Sequence, residues 1–143
     1  MNKQIVRLLS TVGLVLALSA TAASSVMQFE TTPHALPSGT TYEESGMVLT
    51  SYSDSASVGY DPLTWNPTGG ALYFASTGRY VEFRMADQSR FNLNSFDFMT
   101  NGYTDARWIE TSTGWSENLP GVHLQTFNFS GPNYSNIDWF RVG

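Results

Sequence analysis

Short runs of alternating hydrophobic and polar residues recur along most of the chain, and this two-residue period is typical of half-buried β-strands. In residues 79–85, for example, Val81, Phe83 and Met85 take one parity and polar or tyrosine residues take the other. About eight such runs, separated by turn-forming residues, follow residue 22, and no amphipathic helical window accompanies them. The pattern predicts an all-β fold, an antiparallel β-sandwich or jelly roll.

The last stretch, residues 127–142, is the one around which we expect the rest of the chain to be organised. It reads as two strands joined by a polar turn, since Pro132 interrupts the alternation that Phe127 and Phe129 begin. The second strand should present alternate residues to opposite faces of its sheet. One face takes Asp138, Phe140 and Val142, and the other takes Ile137, Trp139 and Arg141. Phe140 and Val142 are then the residues expected in the core.

Three other assignments bear on function. Residues 26–30 read as a first strand, and residues 31–39, 53–70 and 114–121 read as loops because they are rich in Ser, Gly, Pro and Asp. A loop as long as 53–70 is usually functional or mobile in a compact domain. We therefore expect the aromatic residues of the last two loops to be accessible to a ligand: Tyr60, Trp65 and Trp115.

The first 22 residues read as a secretory signal peptide rather than as part of the fold. They contain a basic start with Lys3 and Arg7, an apolar run over residues 12–18 and the small-residue signal Ala20-Thr21-Ala22. The alternative is an uncleaved anchor helix, but the apolar run is shorter than the roughly 20 residues that span a bilayer. We expect residues 23–143 to form one secreted domain with no membrane attachment after cleavage.

Charge and cysteine content exclude several classes of partner and site. Without Lys3 and Arg7 the chain has five basic residues, all arginine, against 12 acidic ones, a formal charge of −7. Such a domain is not expected to bind nucleic acid or an anionic lipid surface, because both require a basic face. The chain has no cysteine, which excludes disulfides, zinc–thiolate sites and a cysteine nucleophile.

Three stretches together resemble a known type of domain. They are Phe29-Glu30 followed by GTTYEESGMVLTS (39–51), FNLNSFDF (91–98), and FNF (127–129) ending in NIDWFRV (136–142). In this order they resemble the jelly-roll domains of bacterial exported proteins of the PEP-CTERM type, which are similar to galactose-binding-like carbohydrate-binding modules. The sequence has no sorting tail after Val142, and Trp139 stands where the family pattern usually has a small polar residue.

The resemblance implies a structural calcium site. In carbohydrate-binding jelly rolls, a carboxylate on the first strand and one on the last often share a calcium ion, and Glu30 and Asp138 occupy those positions here. Calcium takes six to eight oxygen ligands, which two carboxylates and loop carbonyls can supply. The alternatives are that both carboxylates are solvated or that Asp138 caps backbone donors.

Aromatic residues are the candidates for ligand binding. Sugars present C–H faces that stack on indole and phenol rings, while neighbouring polar groups bind their hydroxyls. We expect a ligand site to draw on Trp65, Trp115, Trp139, Tyr60 and Arg141. The alternative for each ring is a buried structural role, which is common for tryptophan in small β-sandwiches.

Catalytic motifs are missing. The chain has neither a G-x-S-x-G nor an H-E-x-x-H motif, and its acid pairs, Asp54 with Asp61 or Glu110 with Glu117, arise readily among 12 carboxylates. We therefore expect no enzyme. The prediction is a secreted carbohydrate-binding or matrix-associated module whose partner is a glycan or an extracellular polymer. The alternative is a structural extracellular protein that self-associates as a homo-oligomer in a biofilm matrix or surface fibre.

Overall fold

A computed structural model of the chain describes residues 25–29, 31–32, 34–59, 71–73, 79–98, 107–120 and 125–143. Within these ranges the chain forms antiparallel β-sheets and one short 3-10 turn, and no α-helix is present. It follows that none of the described segments is a helix long and apolar enough to cross a membrane. The predicted all-β class is confirmed.

The described residues form eleven short strands rather than about eight. They are β1 His34–Leu36, β2 Thr41–Glu44, β3 Met47–Ser51, β4 Ala56–Gly59, β5 Ala71–Tyr73, β6 Val81–Met85, β7 Ser95–Phe98, β8 Arg107–Thr111, β9 Ser116–Leu119, β10 Gln125–Asn128 and β11 Phe140–Val142. All eleven are three to five residues long, which is at the short end for strands in globular proteins.

The strands are arranged in three antiparallel sheets. The largest has six strands in the order β2-β3-β6-β11-β8-β9, and the smaller ones have the orders β1-β4-β5 and β10-β7. The two strands predicted for the last stretch both exist, but they belong to different sheets. β11 lies in the middle of the six-stranded sheet, paired with β6 on one side and β8 on the other. The last strand is therefore central to the architecture, as expected.

Side chains from all three sheets share one hydrophobic core, which makes the fold a β-sandwich. The six-stranded sheet supplies residues such as Leu49, Ile109 and Phe140, and the three-stranded sheet supplies Leu36 and Val58. The two-stranded sheet packs on the six-stranded one through aromatic rings. The ring of Phe96 in β7 lies 6.2 Å from that of Phe140 and nearly parallel to it.

The predicted parity of β11 is confirmed where the strand is regular. Phe140 and Val142 are buried in the core, and Arg141 points to the opposite side of the sheet. Phe140 stacks on Phe83 of β6, its cross-strand neighbour, with ring centres 4.5 Å apart. Because β11 is flanked by strands on both sides, every one of its residues is held in a fixed position relative to β6 and β8.

The predicted alternation is wrong for Ile137 and Asp138, just before β11 begins. Ile137 is completely buried, although the alternation placed it on the outer side with Trp139, and Asp138 is exposed, although the alternation placed it on the core side. The reason lies in the backbone. Asn136 has a positive φ of 54°, and Ile137 forms an isolated bridge with Phe91 instead of continuing the strand. The predicted two-residue period therefore applies only from Trp139 onwards.

Other expectations about local structure also fail. Residues 25–29 form no strand, because the backbone N–H groups of Gln28 and Phe29 donate to the Glu44 carboxylate at 3.0 and 2.8 Å instead of to a sheet partner. The three predicted loops contain β1, β4 and β9. In β4 the core-facing residues are the small Ala56 and Val58, and this weak alternation among serines concealed the strand.

The stack of Phe140 on Phe83 provides a test of the core assignment. Truncating Phe140 to alanine should lower the free energy of unfolding by about 3–5 kcal/mol, as large-to-small changes in cores do. The change Phe127→Ala in β10 should cost clearly less, since that ring is only half buried. Urea denaturation of both variants measures the difference, and equal losses would contradict this account of the core.

Candidate functional site

The side of the six-stranded sheet that faces away from the core carries a row of aromatic and charged side chains. We call this row the outer strip, and it consists of Tyr52, Tyr80, Glu82, Trp108, Glu110, Trp139 and Arg141. Along the strands these residues alternate with core residues, or continue that alternation just beyond the end of a strand. All four aromatic residues of the strip are half buried.

Arg141 is at the centre of the outer strip because of the register of β11. Its direct neighbours across the sheet are Glu82 on β6 and Glu110 on β8. Its Nε atom donates a hydrogen bond to Glu82 Oε2 at 2.7 Å, and its Nη1 atom lies 3.6 Å from Glu110 Oε2. Opposite charges on directly paired strands stabilise that pairing. The carboxylates on both sides therefore hold the guanidinium in place.

Glu82 is buried, although it points away from the core, with only 2% of its surface exposed. Its two oxygens each accept a hydrogen bond from an arginine, Oε1 from Arg84 at 2.5 Å and Oε2 from Arg141 at 2.7 Å. Burial raises the pKa of the Glu82 carboxyl, but the two arginine hydrogen bonds outweigh that effect and the pKa is lowered. Glu82 is therefore ionised at neutral pH.

Aromatic rings extend the outer strip on both sides of Arg141. The guanidinium carbon lies 4.1 Å from the centre of the Trp139 ring and 4.9 Å from that of Tyr80. Tyr80 in turn stacks on Tyr52, with ring centres 4.6 Å apart. Cation–π contacts of this kind are strongest with tryptophan and when partly desolvated. Contacts thus connect Tyr52, Tyr80, Arg141 and Trp139 in one series.

Trp108 occupies the strip next to the end of β11. Its ring centre lies 6.2 Å from that of Tyr80, and its backbone exchanges two hydrogen bonds with Gly143. The ring lies so close to Gly143 that a Cβ atom at that position would overlap it. Any other residue at 143 would therefore require the Trp108 ring or the backbone to shift.

The structure brings together two of the five predicted ligand-binding residues, Trp139 and Arg141. Trp115 is 43% exposed but is not part of the strip. Its backbone carbonyl accepts a hydrogen bond from the backbone N–H of Thr111, a residue on the core face of β8. Trp115 therefore lies on the core side of the sheet, opposite the outer strip. The remaining two, Tyr60 and Trp65, lie outside the described residues.

The two acid pairs considered for catalysis have different outcomes. Glu110 is on the outer face of β8, whereas Glu117 is paired with Ile109 and shares its core side, so these two carboxylates do not share a site. Glu117 instead accepts a hydrogen bond from the Tyr134 hydroxyl at 2.5 Å, and burial together with this carboxylate raises the pKa of Tyr134 to about 12. For the other pair, Asp54 binds Arg79 at 2.8 Å, and Asp61 lies outside the described residues.

The calcium prediction can be examined only at Asp138. Its carboxylate accepts a hydrogen bond from Arg90 Nε at 2.9 Å, so a positive charge is already present where the ion would bind. Glu30 lies outside the described residues. Within the described ranges, no three acidic or histidine side chains are grouped in a way that could hold a metal. A calcium ion at Asp138 would compete with Arg90 for this carboxylate, and the site stays a prediction.

Several residues of the strip were not singled out as site residues from the sequence: Tyr52, Tyr80, Glu82, Trp108 and Glu110. The alternation in residues 79–85 already placed Tyr80 and Glu82 on the face opposite Val81 and Phe83. It could not show that Arg141, about 60 residues further on, would pair with that strand. The missing information was the register between β6 and β11.

Comparisons of the chain with known protein families, with curated proteins and with solved structures found no match. The resemblance noted from the sequence therefore remains an expectation.

Glu82 makes stability depend on pH in a predictable direction. Its pKa in the folded protein is below its ordinary value of 4.5, so the stabilisation is present above that pH and is lost as the pH falls through the folded value. At pH 7, Glu82→Gln should lower the free energy of unfolding by about 1.5–3 kcal/mol, as expected for hydrogen bonds to charged groups. The difference between the variant and the wild type should shrink in acid.

The matched control is Glu110→Gln, since Glu110 faces the same arginine at a longer distance and is more exposed. It should cost at most about 1 kcal/mol, as surface ion pairs do. Urea denaturation at pH 7 and pH 3 measures both variants. A Glu82→Gln effect that is the same at both pH values would show that the carboxylate charge is not what stabilises the strip.

The calcium prediction also has a direct test. If Glu30 and Asp138 bind calcium, added Ca²⁺ should raise the melting temperature by mass action, and Asp138→Ala should abolish the rise. The control is Asp97→Ala, which removes an exposed carboxylate from β7. An unchanged melting curve in EDTA and in millimolar Ca²⁺ would reject the site.

Proposed function

We propose that the protein is a secreted, non-enzymatic module that binds carbohydrate, or an extracellular polymer built from it, through the outer strip. The observation that carries the proposal is the position of Trp139. Its ring is on the side of the sheet away from the core and is held by the Arg141 guanidinium 4.1 Å away. An indole held in this way has one face covered by Arg141, and the opposite face is the apolar surface that would take a sugar.

The chemistry of the outer strip suits a sugar. Pyranose rings present C–H faces to aromatic side chains, and their hydroxyls need hydrogen-bonding partners at the edge of the stack. Glu110 and the neighbouring Arg84 have side chains that are 36% and 50% exposed, so both reach solvent beside the rings. The Glu110 carboxylate can accept hydrogen bonds from sugar hydroxyls, whereas Arg84 is already paired with Glu82 through its Nε atom.

Rigidity of the strip also favours binding. Arg141 cannot move without breaking its hydrogen bond to the buried carboxylate of Glu82, and Trp139 contacts that same guanidinium. A surface that is already ordered before the ligand arrives loses less conformational entropy on binding. This matters for sugars, whose individual contacts are weak.

The alternative is a structural protein that self-associates through sheet edges or exposed aromatic residues, and the edges of the largest sheet give it less support. The edge strands of the six-stranded sheet are β2 and β9, and both carry carboxylates: Glu43, Glu44 and Glu117. Two copies pairing along β2 would bring like charges together. Charged residues on edge strands are a known protection against such pairing.

The proposal predicts different effects for two tryptophans. Trp139→Ala should weaken binding to a polysaccharide about two- to tenfold, which corresponds to the loss of one aromatic contact. Trp115→Ala, which removes a more exposed tryptophan on the other side of the sheet, should leave the affinity unchanged. Trp139→Phe should retain part of the binding. Affinity electrophoresis against a panel of polysaccharides measures all three variants.

Melting curves of the same samples establish that each variant is folded. Equal losses for the two alanine variants, or a loss for Trp115→Ala alone, would contradict the assignment of the binding surface. No binding of the wild type to any glycan, together with concentration-dependent oligomers in size-exclusion chromatography, would favour the self-associating alternative.

A further inference from the structure

We infer that the ligand of the outer strip is a neutral polysaccharide and that polymers bearing carboxylate or sulfate groups are rejected. This inference rests on the proposed function and adds the chemical class of the ligand. It follows from the ion pairs that the arginines form. A site for acidic sugars needs cationic donors that are not already paired with carboxylates of the protein.

Both arginines that belong to or border the strip are already paired with carboxylates. Arg84 and Arg141 donate to the two oxygens of Glu82, and Arg141 also lies 3.6 Å from Glu110. Two positive charges are thus matched by two negative ones. An acidic sugar approaching Arg141 would have to compete with a buried carboxylate that cannot be left without its partner at low cost.

The other described arginines are engaged as well. Arg79 binds Asp54 at 2.8 Å, Arg90 binds Asp138 at 2.9 Å, and Arg107 also interacts with a neighbour. After residue 22 the sequence contains no lysine. Each described arginine thus already interacts with a neighbouring group of the protein, and an anion would have to compete with that group.

The net charge of the protein acts in the same direction. The full chain has a formal charge of −5, and the domain without the predicted signal peptide has −7. At low ionic strength this field repels a polyanion before contact, because the Debye length at 0.01 M is about 30 Å. Charge repulsion of this kind rejects the wrong ligand without weakening binding of the correct one.

A neutral sugar finds complementary groups on the same surface. Its hydroxyls can donate to the Glu110 carboxylate, which is 36% exposed, while its C–H face lies on the Trp139 ring. A uronate or sulfate group placed beside Glu110 would meet a like charge instead. The neutral ligand can thus contact both the aromatic rings and the Glu110 carboxylate, whereas the acidic ligand can contact only the rings.

The test uses pairs of polymers that differ in charge: galactan with polygalacturonate, mannan with polymannuronate, and dextran with dextran sulfate. Binding of the domain is measured by affinity electrophoresis and microscale thermophoresis at 10 mM and 150 mM salt. We expect at least one neutral polymer to bind, its acidic counterpart to bind at least tenfold more weakly, and the neutral affinity to be nearly independent of salt.

Glu110→Gln tests the charge argument on the protein side. It removes one negative charge from the strip without touching the rings, and it leaves the Glu82 contact of Arg141 in place. The preference for the neutral polymer over its acidic counterpart should fall at least threefold. Glu43→Gln, which removes a charge of the same sign from edge strand β2, is the control and should leave the ratio nearly unchanged.

The outcomes separate the two proposals. Tighter, salt-sensitive binding of an acidic polymer that depends on Trp139 would overturn the inference and leave the carbohydrate-binding proposal standing. Equal binding of both members of a pair at 10 mM salt would also overturn it. Binding to none of the six polymers would count against the proposed function itself, and the inference would fall with it.

Discussion

Glu82 imposes the main physical constraint on the outer face of the molecule. A carboxylate with only 2% of its surface exposed must be neutralised and hydrogen-bonded, because an unpaired buried charge is very costly. Arg84 and Arg141 meet this requirement, one at each oxygen. Their positions are fixed as a result, and Arg141 in turn positions the rings of Tyr80 and Trp139. The outer strip is thus ordered by one ionic network.

β11 connects this network to the hydrophobic core. Phe140 and Val142 anchor the strand in the core, and Arg141 between them points to the opposite face of the sheet. Because β11 pairs with β6 and β8 at once, its register places Arg141 beside Glu82 and Glu110 together. A shift of one residue would exchange the faces and bury the arginine in the core. Core packing and the candidate binding surface are therefore maintained by the same three residues.

The sequence was informative where local alternation decides the structure. It placed Phe140 and Val142 in the core and put Trp139 beside Arg141 on the opposite face, as the structure has them. It was wrong at Ile137 and Asp138, because the left-handed backbone of Asn136 interrupts the period and no pattern of side chains reveals that. It also did not link Glu82 to Arg141, since the register between strands far apart in the chain depends on the packing of the whole sandwich.

The ionic network has opposite effects on the two kinds of ligand contact. By pairing Arg84 and Arg141 with Glu82 and Glu110, it makes an acidic ligand compete with carboxylates that are already in place. The same pairing holds the guanidinium against Trp139, so the aromatic surface is rigid before any ligand binds. If the strip binds a ligand as proposed, it would recognise shape and C–H surface rather than charge. The affinity of each contact is then low. A polymer that repeats one neutral unit would bind more tightly than a single unit, because neighbouring units raise the effective concentration at the strip.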